Sequence, residues 1–238
     1  MDVERFDDYC PNGLQVEANP EVRKIALGVS ASLQLFQKAR AQGADTVIVH
    51  HGLFWHKMSY ALKGVHGKRV AYLFQNKINL FGFHLPLDYQ PKIGNNAAIA
   101  NHLRLKKRRH FARHGGVAIG MLGQLPHATP LAEVEQRLRG FFGQINYFYD
   151  CGKPIIKSVA MVSGGAAEDV HEAHALGADL YITGEAAEPT QEWCREAGMN
   201  FIGAGHYASE QFGVQGLGKI IQQKFKIPCE FIPIQNRF

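Results

Sequence analysis

Residues 43–52 read Gly43-Ala44-Asp45-Thr46-Val47-Ile48-Val49-His50-His51-Gly52, which places two histidines directly after an apolar run. The β-branched residues 46–49 predict a buried strand whose carboxyl end carries both imidazoles. In open α/β sheets, ligands bind at that end of the strands. Neighbouring strand residues point to opposite faces, so two imidazoles flank one point only if something such as a metal ion lies between them. The alternative is a pair of hydrogen-bonded core histidines.

A second copy of this pattern occurs later in the chain. Residues 25–27 and 43–49 correspond to residues 159–161 and 177–183 without a gap, each position 134 residues further on. Residues 78–84 are echoed by residues 199–206 with a slip of one position. This self-similarity predicts an internal duplication.

Each copy also places a carboxylate four residues after a histidine, with Asp88 following His84 and Glu210 following His206. On a helix, that spacing brings both side chains to one face, where they can share a cation. Pro86 argues against a helix in the first copy, so we predict a strand-to-loop exit there. The stretch from His206 to Glu210 instead reads as the start of a helix.

The two copies differ at the histidine pair. Gly184-Glu185 stands in the second copy where the first has His50-His51. The second copy therefore contributes no histidine pair, and we expect one site built from both halves.

Composition limits the classes of protein. The 238 residues are 46% hydrophobic, which is enough for one large core or two moderate ones, and the repeat favours two related lobes. No apolar stretch approaches the roughly 20 residues of a membrane span, and the first residues are acidic, unlike a signal peptide. We therefore expect a cytoplasmic protein with no membrane segment. Cys10, Cys151, Cys194 and Cys229 lack CxxC spacing, which predicts buried reduced thiols.

A basic run occupies residues 104–110, Arg104-Leu105-Lys106-Lys107-Arg108-Arg109-His110, in a chain of net charge +5. Such a run can attract the phosphates of a nucleic acid. The alternative is a solvated connector, which we favour because no aromatic residues alternate with the charges as a stacking platform requires.

Strands alternating with helices indicate an α/β fold with mixed, mostly parallel sheets covered by helices. We assign residues 1–103 to a first α/β lobe that carries the His-His and Asp ligands. Residues 104–150 form the basic connector, a strand and an amphipathic helix that begins at Leu131. Residues 151–238 form a second α/β lobe that carries the His and Glu ligands.

Five ordered motifs resemble one family over essentially the whole chain. The resemblance is to the Nif-three-like family, also called GTP cyclohydrolase I type 2, and in particular to its short bacterial members. The motifs are Asp8-Tyr9-Cys10-Pro11-Asn12-Gly13-Leu14-Gln15-Val16-Glu17, Val49-His50-His51-Gly52-Leu53-Phe54-Trp55, His84-Leu85-Pro86-Leu87-Asp88, Gly94-Asn95-Asn96-Ala97 and Gly205-His206-Tyr207-Ala208-Ser209-Glu210.

The resemblance implies a Nif-three-like fold and a dinuclear metal site. Its ligands map onto His50, His51, Asp88, His206 and Glu210, with His84 as a second-sphere or substrate contact. Imidazole and carboxylate ligands suit two divalent ions, and zinc, iron, manganese and nickel all remain open. The resemblance also implies a homohexameric toroid with the metal sites facing its cavity. Phe54 and Trp55 then predict that the loop after the histidine pair is buried between subunits or under the cavity rim.

Two functions from different classes follow. The first is a metal-dependent hydrolase of the GTP cyclohydrolase I type 2 kind that acts on a nucleotide or related substrate. The second is a non-catalytic metal-binding scaffold or regulator that forms a toroidal oligomer. A ring that threads nucleic acid is a third alternative, which the basic run permits but does not require. The motifs assign no catalytic residue, although Tyr207, His84 and Glu185 are candidate acid or base groups.

Overall fold

The computed structural model describes residues 1–236, and the chain divides into two compact units. The first unit combines Met1–Leu87 with Gln211–Gln235. The second unit contains Asp88–Glu210. The chain therefore leaves the first unit after Leu87 and returns to it at Gln211.

The first unit is built on a five-stranded sheet in the order β1-β4-β3-β2-β11. The pairs β4–β3, β3–β2 and β2–β11 are parallel, and β1 runs antiparallel to β4. The strands are β1 (Gly13–Val16), β2 (Ile25–Ser30), β3 (Thr46–His51), β4 (Asn79–Gly82) and β11 (Cys229–Phe231). The helices are α1 (Leu33–Ala41), α2 (Gly64–Gln75) and α9 (Gln211–Phe225), and a short 3₁₀ turn covers Val3–Arg5. The short helix α3 (Leu85–Tyr89) begins in this unit.

The second unit is built on a six-stranded sheet in the order β5-β6-β8-β9-β10-β7. The pairs β8–β9 and β9–β10 are parallel, and the other three pairs are antiparallel. The strands are β5 (Lys106–His114), β6 (Val117–Pro130), β7 (Tyr147–Asp150), β8 (Ile155–Met161), β9 (Leu180–Thr183) and β10 (Asn200–Gly203). The helices are α4 (Asn95–His102), α5 (Leu131–Phe142), α6 (Val170–Ala175), α7 (Thr190–Ala197) and α8 (His206–Ser209), and a 3₁₀ turn covers Ala167–Asp169.

The predicted α/β class with two mixed sheets covered by helices is confirmed, and each unit contains one copy of the repeat. Parallel strands β2, β3 and β4 correspond to β8, β9 and β10, and each set has an antiparallel strand next to its last member. Two aspartates at equivalent positions of the repeat accept equivalent backbone hydrogen bonds. Asp45 accepts the backbone N–H of Arg23 at 3.0 Å, and Asp179 accepts that of Lys157 at 3.0 Å. Each carboxylate fastens the start of one strand to the start of the next.

Strand β3 is packed on both of its faces, because alternate residues are buried in different core clusters. Val47 and Val49 are fully buried in one core cluster, together with Leu35 and Phe36 of α1. Ile48 is buried in a second cluster on the opposite face of the sheet. Full burial of such side chains stabilises a fold by roughly 1.5–3 kcal/mol each. The end of β3, where the histidines stand, is therefore held from both faces.

Some local expectations are wrong, and each has a physical reason. Residues 85–89 form helix α3 despite Pro86, because a proline in the first turn of a helix removes an N–H that has no partner in the helix anyway. The basic run does not form a connector, since Lys106–His114 is an edge strand paired with β6. Strands β1 and β7 were not predicted. Helix α5 is confirmed, with Leu131, Val134 and Leu138 buried along one stripe.

Two further expectations concern cysteines and membranes. All four cysteines are free thiols, of which Cys10 and Cys194 are buried, while Cys151 and Cys229 are half-buried. Across residues 1–236, no helix combines the length and the apolar character needed to cross a bilayer.

Candidate metal centre

Three histidines of the first unit gather at the carboxyl ends of β3 and β4. His50 and His51 are the last two residues of β3, and His84 stands two residues beyond β4. The ring centroid of His50 lies 4.7 Å from that of His51 and 5.2 Å from that of His84. One ring nitrogen of each histidine lies within 4.8 Å of the others. Three imidazoles this close can bind one cation.

Hydrogen bonds orient the two strand histidines. The Nδ1 atom of His50 donates to the backbone carbonyl of Phe83 at 2.9 Å, which leaves Nε2 as the nitrogen with a lone pair. The Nδ1 atom of His51 lies 2.9 Å from the hydroxyl of Ser30. Metal-binding histidines commonly hold one ring nitrogen in this way while the other binds the ion. The arrangement of both rings therefore suits Nε2 coordination.

His84 is held by a carboxylate far away in sequence. Its Nδ1 donates to Oδ1 of Asp8 at 2.6 Å, and Asp8 also accepts from the side chain of Asn12 at 2.8 Å and the N–H of Leu85 at 3.0 Å. Burial alone would raise the pKa of Asp8, but the hydrogen bonds from His84, Asn12 and Leu85 outweigh it and leave that pKa below its usual range. Asp8 is therefore an anionic support for the His84 ring.

In the second unit, Asp88 is a buried carboxylate at the end of α3. Asn95 donates its side-chain amide to Oδ1 of Asp88 at 2.8 Å, and the hydroxyl of Ser163 donates to the same oxygen at 2.8 Å. Asp88 is 3% exposed, so these two donors replace part of the water that an ionised carboxylate would otherwise bind. The two hydrogen bonds thus fix the orientation of the Asp88 carboxylate.

His206 and Glu210 form the second predicted pair of this unit, on and just after α8. The Nε2 atom of His206 lies 3.1 Å from Oε2 of Glu210, and its Nδ1 donates to Glu185. Burial alone would lower the pKa of His206, but the two carboxylates together raise that pKa to about 9. The surroundings of the ring favour positive charge strongly. A divalent cation fits such a donor set.

Gly164 shapes the seat of the Glu210 carboxylate. A Cβ atom at this position would lie 2.1 Å from Oε1 of Glu210, and the backbone has φ +77. The N–H of Gly164 donates to Ser209 at 2.9 Å, and its carbonyl accepts from Thr183 at 3.0 Å. Only glycine allows the backbone to approach the carboxylate this closely.

The structure thus places the predicted ligands in two sets, one in each unit. The first set holds His50 and His51 together with His84, and the second holds Asp88 and the His206–Glu210 pair. The supporting roles of Asp8, Asn95 and Ser163 were not predicted. Asp8 and Asn95 lie in two of the quoted motifs, and that position could have indicated a role at the site. Nothing in the local sequence distinguishes Ser163.

Comparisons with known proteins identify the family of this chain. The family model described as Duf34/NIF3 (NGG1p interacting factor 3) matches residues 1–237. A protein of Pseudomonas aeruginosa named GTP cyclohydrolase 1 type 2 homolog is 39% identical over 236 residues, covering 99% of this chain and 93% of that protein. A Haemophilus influenzae protein of the same name is 36% identical over 237 residues, covering 99% and 94%.

Among solved structures, the fold is similar to that of ybgI, a protein described as of unknown function, with a TM-score of 0.92 and 36% identity over 99% of this chain and 94% of that chain. TTHA1606 from Thermus thermophilus is similar with a TM-score of 0.85 and 36% identity, covering 97% and 91%. The predicted family is therefore confirmed, and the chain belongs to the DUF34/NIF3 family.

Proposed function

We propose that this protein is a metal-dependent hydrolase with a dinuclear centre held by His50, His51, Asp88, His206 and Glu210. The observation that carries the proposal is the hydrogen bonding of the imidazoles. Nδ1 of His50 is engaged by a backbone carbonyl and Nδ1 of His206 by a carboxylate. This is the support that metal-binding histidines commonly have.

The course of the chain supports one shared centre. Asp88 directly follows Leu87, where the chain leaves the first unit, and Glu210 directly precedes Gln211, where it returns. Both candidate carboxylates thus stand at the points where the chain passes from one unit to the other.

Such a centre would supply a Lewis acid and a water ionised near neutral pH. The residues of this chain have separate tasks around it. Asp8 orients the ring of His84, and Asn95 and Ser163 fix the orientation of the Asp88 carboxylate. Glu185 is the candidate acid or base, because it lies against His206 and is half-buried. The relatives named GTP cyclohydrolase 1 type 2 homolog suggest a nucleotide or a related molecule as substrate.

A non-catalytic metal-binding scaffold is the second candidate function. In a scaffold, Asp8 and Glu185 would act only by holding the imidazoles of His84 and His206 in place. That arrangement is equally suited to storing or presenting a metal.

We further propose, on the family resemblance, that the chain assembles as a homohexamer.

Metal content and turnover, measured in parallel, test the hydrolase proposal. We expect Glu210→Gln to lose most bound metal while circular dichroism and thermal unfolding stay close to the wild type. We expect Asp88→Asn to lower metal-dependent turnover of GTP, other nucleotides or cyclic amides by about a hundredfold or more. Glu192→Gln, on the exposed face of α7, is the matched control and should change neither quantity.

The outcomes separate the two functions. Unchanged metal stoichiometry in Glu210→Gln would remove Glu210 from the ligand set. A wild type that binds metal but turns over every substrate at the same trace rate as Asp88→Asn would be a scaffold and not a hydrolase.

A further inference from the structure

The first unit contains a group of three histidines that includes no residue of the second unit. His50 and His51 end β3, His84 follows β4, and all three lie within Met1–Leu87. One ring nitrogen of each lies within 4.8 Å of the others. The dinuclear centre proposed for this chain uses His50 and His51 but gives His84 no role as a ligand.

The ring of His84 has the hydrogen bonding of a metal ligand. Its Nδ1 donates to Oδ1 of Asp8 at 2.6 Å, so the lone pair is on Nε2. A carboxylate that accepts from one ring nitrogen fixes the ring and makes the other nitrogen a stronger donor to a metal. A purely structural tie between Asp8 and the end of β4 needs only Nδ1, whereas a ligand needs Nε2 beside the other two imidazoles.

Aromatic rings pack against His84 and hold it in this orientation. The ring of Trp55 lies edge to face with that of His84, at a centroid distance of 5.1 Å and an interplanar angle of 81°. Tyr9 makes a second edge contact at 6.3 Å and 60°. Trp55 is itself fixed, because its Nε1 donates to the carbonyl of Gly52 at 3.1 Å. An imidazole held in this way loses little rotational freedom when it binds a cation.

Burial and charge around the three histidines determine which cation they suit. His50 is 0% exposed, and the side chains of His84 and Asp8 are 13% and 3% exposed. Three neutral imidazoles bring no charge to offset the desolvation of a divalent ion, but Asp8 places a carboxylate directly behind the ring of His84. Imidazole ligands suit zinc, copper, iron and nickel, whereas magnesium and manganese prefer oxygen ligands.

We infer that His50, His51 and His84 form a cation site of their own, which binds one ion such as Zn²⁺ without a ligand from the second unit. His84 is the third imidazole ligand, and Asp8 is the positioning residue behind it. This inference deepens the proposed function, and it rests on that function only for the presence of a second ion. Binding at the three histidines requires neither the second ion nor turnover.

Isothermal titration calorimetry of the full-length Asp88→Asn/His206→Ala/Glu210→Gln triple variant tests the inference, because this variant lacks all three candidate ligands of the second unit. After treatment with a chelator, we expect it to bind one Zn²⁺ per chain and to bind Mn²⁺ about tenfold more weakly or less tightly still. Titration is the proper measure, since purification removes weakly held ions. A folded triple variant that takes up no Zn²⁺ would overturn the inference.

His84→Asn separates a ligand from a structural tie. The asparagine amide can still donate to Asp8, but it offers no second ring nitrogen to a cation. Added to the triple variant, or to the wild type if the triple variant does not fold, it should weaken Zn²⁺ binding by about tenfold or more, while thermal unfolding of the metal-free protein stays close to that of the parent. His56→Ala, at an exposed histidine of the same unit, is the matched control and should leave the affinity unchanged. Equal affinity of His84→Asn and its parent would reduce His84 to a structural tie.

Fluorescence of Trp55 locates the bound ion. The chain has two tryptophans, so Trp193→Phe leaves Trp55 as the only one. The ring of Trp55 lies 5.1 Å from that of His84 and 5.8 Å from that of His51. In the triple variant with Trp193→Phe, we expect one Co²⁺ per chain to quench most of the emission, because a paramagnetic ion held by these imidazoles lies beside the indole. Binding of Co²⁺ without quenching would place the ion elsewhere and overturn the inference.

The outcomes separate this inference from the hydrolase proposal. If the triple variant binds Zn²⁺ at the three histidines and the wild type hydrolyses nothing, the three-histidine site stands and the hydrolase proposal fails. If the wild type hydrolyses a substrate and the folded triple variant binds no Zn²⁺, the hydrolase proposal stands and this inference fails.

Discussion

At the scale of single residues, the candidate centre depends on side chains that carry no charge themselves. Ser30 and the carbonyl of Phe83 orient the two strand histidines, and Ser163 helps to fix Asp88. Gly164 acts through the absence of a side chain, because it leaves room for the Glu210 carboxylate. Such supporting residues set ligand geometry and therefore metal affinity.

Gly164→Ala is the residue-scale prediction. The new methyl group meets Oε1 of Glu210, and the residue must keep a left-handed backbone, so we expect the free energy of unfolding to fall by about 1–3 kcal/mol. We also expect reduced metal content. Gly140→Ala is the matched control, because its Cβ in α5 would meet nothing within 4 Å, and it should stabilise the protein by about 0.5–1 kcal/mol. Urea unfolding and metal analysis give both quantities, and a wild-type result for Gly164→Ala would contradict the close approach.

At the scale of elements, strand β5 explains what the basic run does. Arg108 donates to the carbonyls of Leu105 and Ala100 and to the side chain of Asn101, so it caps the end of α4. Lysine and arginine near a helix C-terminus satisfy its last carbonyls in this way. At least one charge of the run is therefore used within the fold, which weakens the nucleic-acid alternative.

The other end of β5 is tied to the 3₁₀ turn at residues 167–169 by the His114–Asp169 pair. The hydrogen bond that His114 donates to Asp169 raises the pKa of His114, against the effect of burial. Because the folded-state pKa is the higher one, the pair contributes its full stability below the unfolded-state value of 6.5 and loses it as pH rises through the folded-state pKa.

Asp169→Asn tests this link between elements. We expect the free energy of unfolding to fall by about 1 kcal/mol at roughly pH 5.5–6, below the unfolded-state value, and by much less at a pH above the raised pKa of the wild-type His114. Glu196→Gln, an exposed carboxylate of α7, should show no such dependence on pH. A loss that is equal at both pH values would mean that Asp169 acts without the charge of His114.

At the scale of the whole molecule, the exposed apolar residues indicate where copies of the chain could meet. Phe54 and Trp55, predicted to lie in a subunit contact, are half-buried within the first unit, and Trp55 donates to the carbonyl of Gly52. The exposed apolar side chains come slightly later, with Tyr60 101%, Leu62 56% and Val65 66% exposed. Apolar side chains this exposed and this close in sequence are typical of an association surface.

Light scattering of the wild type and of the Tyr60→Ser/Leu62→Ser double variant tests the assembly. We expect a wild-type mass close to six subunits at micromolar concentration and a smaller species for the double variant, since burial of these side chains would be lost. Lys68→Ala, an exposed change on the neighbouring helix α2, should leave the mass unchanged. A wild-type monomer would contradict the proposed hexamer.

Much of the fold could be predicted because its central strands are short, apolar and buried on both faces. Strand β3 contains the strand predicted over residues 46–49, and every residue from Thr46 to His50 is buried. Edge strands carry no such pattern. The first five residues of β5 are all exposed, so their composition predicted a solvated connector. Strand β7 exposes three of its four residues, so its composition predicted no strand.

By itself, the sequence determined the α/β class, the duplication, the family and the residue types that stand at the strand ends, because local periodicity and self-similarity are written along the chain. The tertiary structure alone decided which nitrogen of each histidine is engaged and by what. Asp8 meets His84 across 76 positions, and Ser163 meets Asp88 across 75. Partners so distant share no local pattern, since only the packing of separate elements brings a donor within reach of its acceptor and so sets the charge and orientation of each candidate ligand.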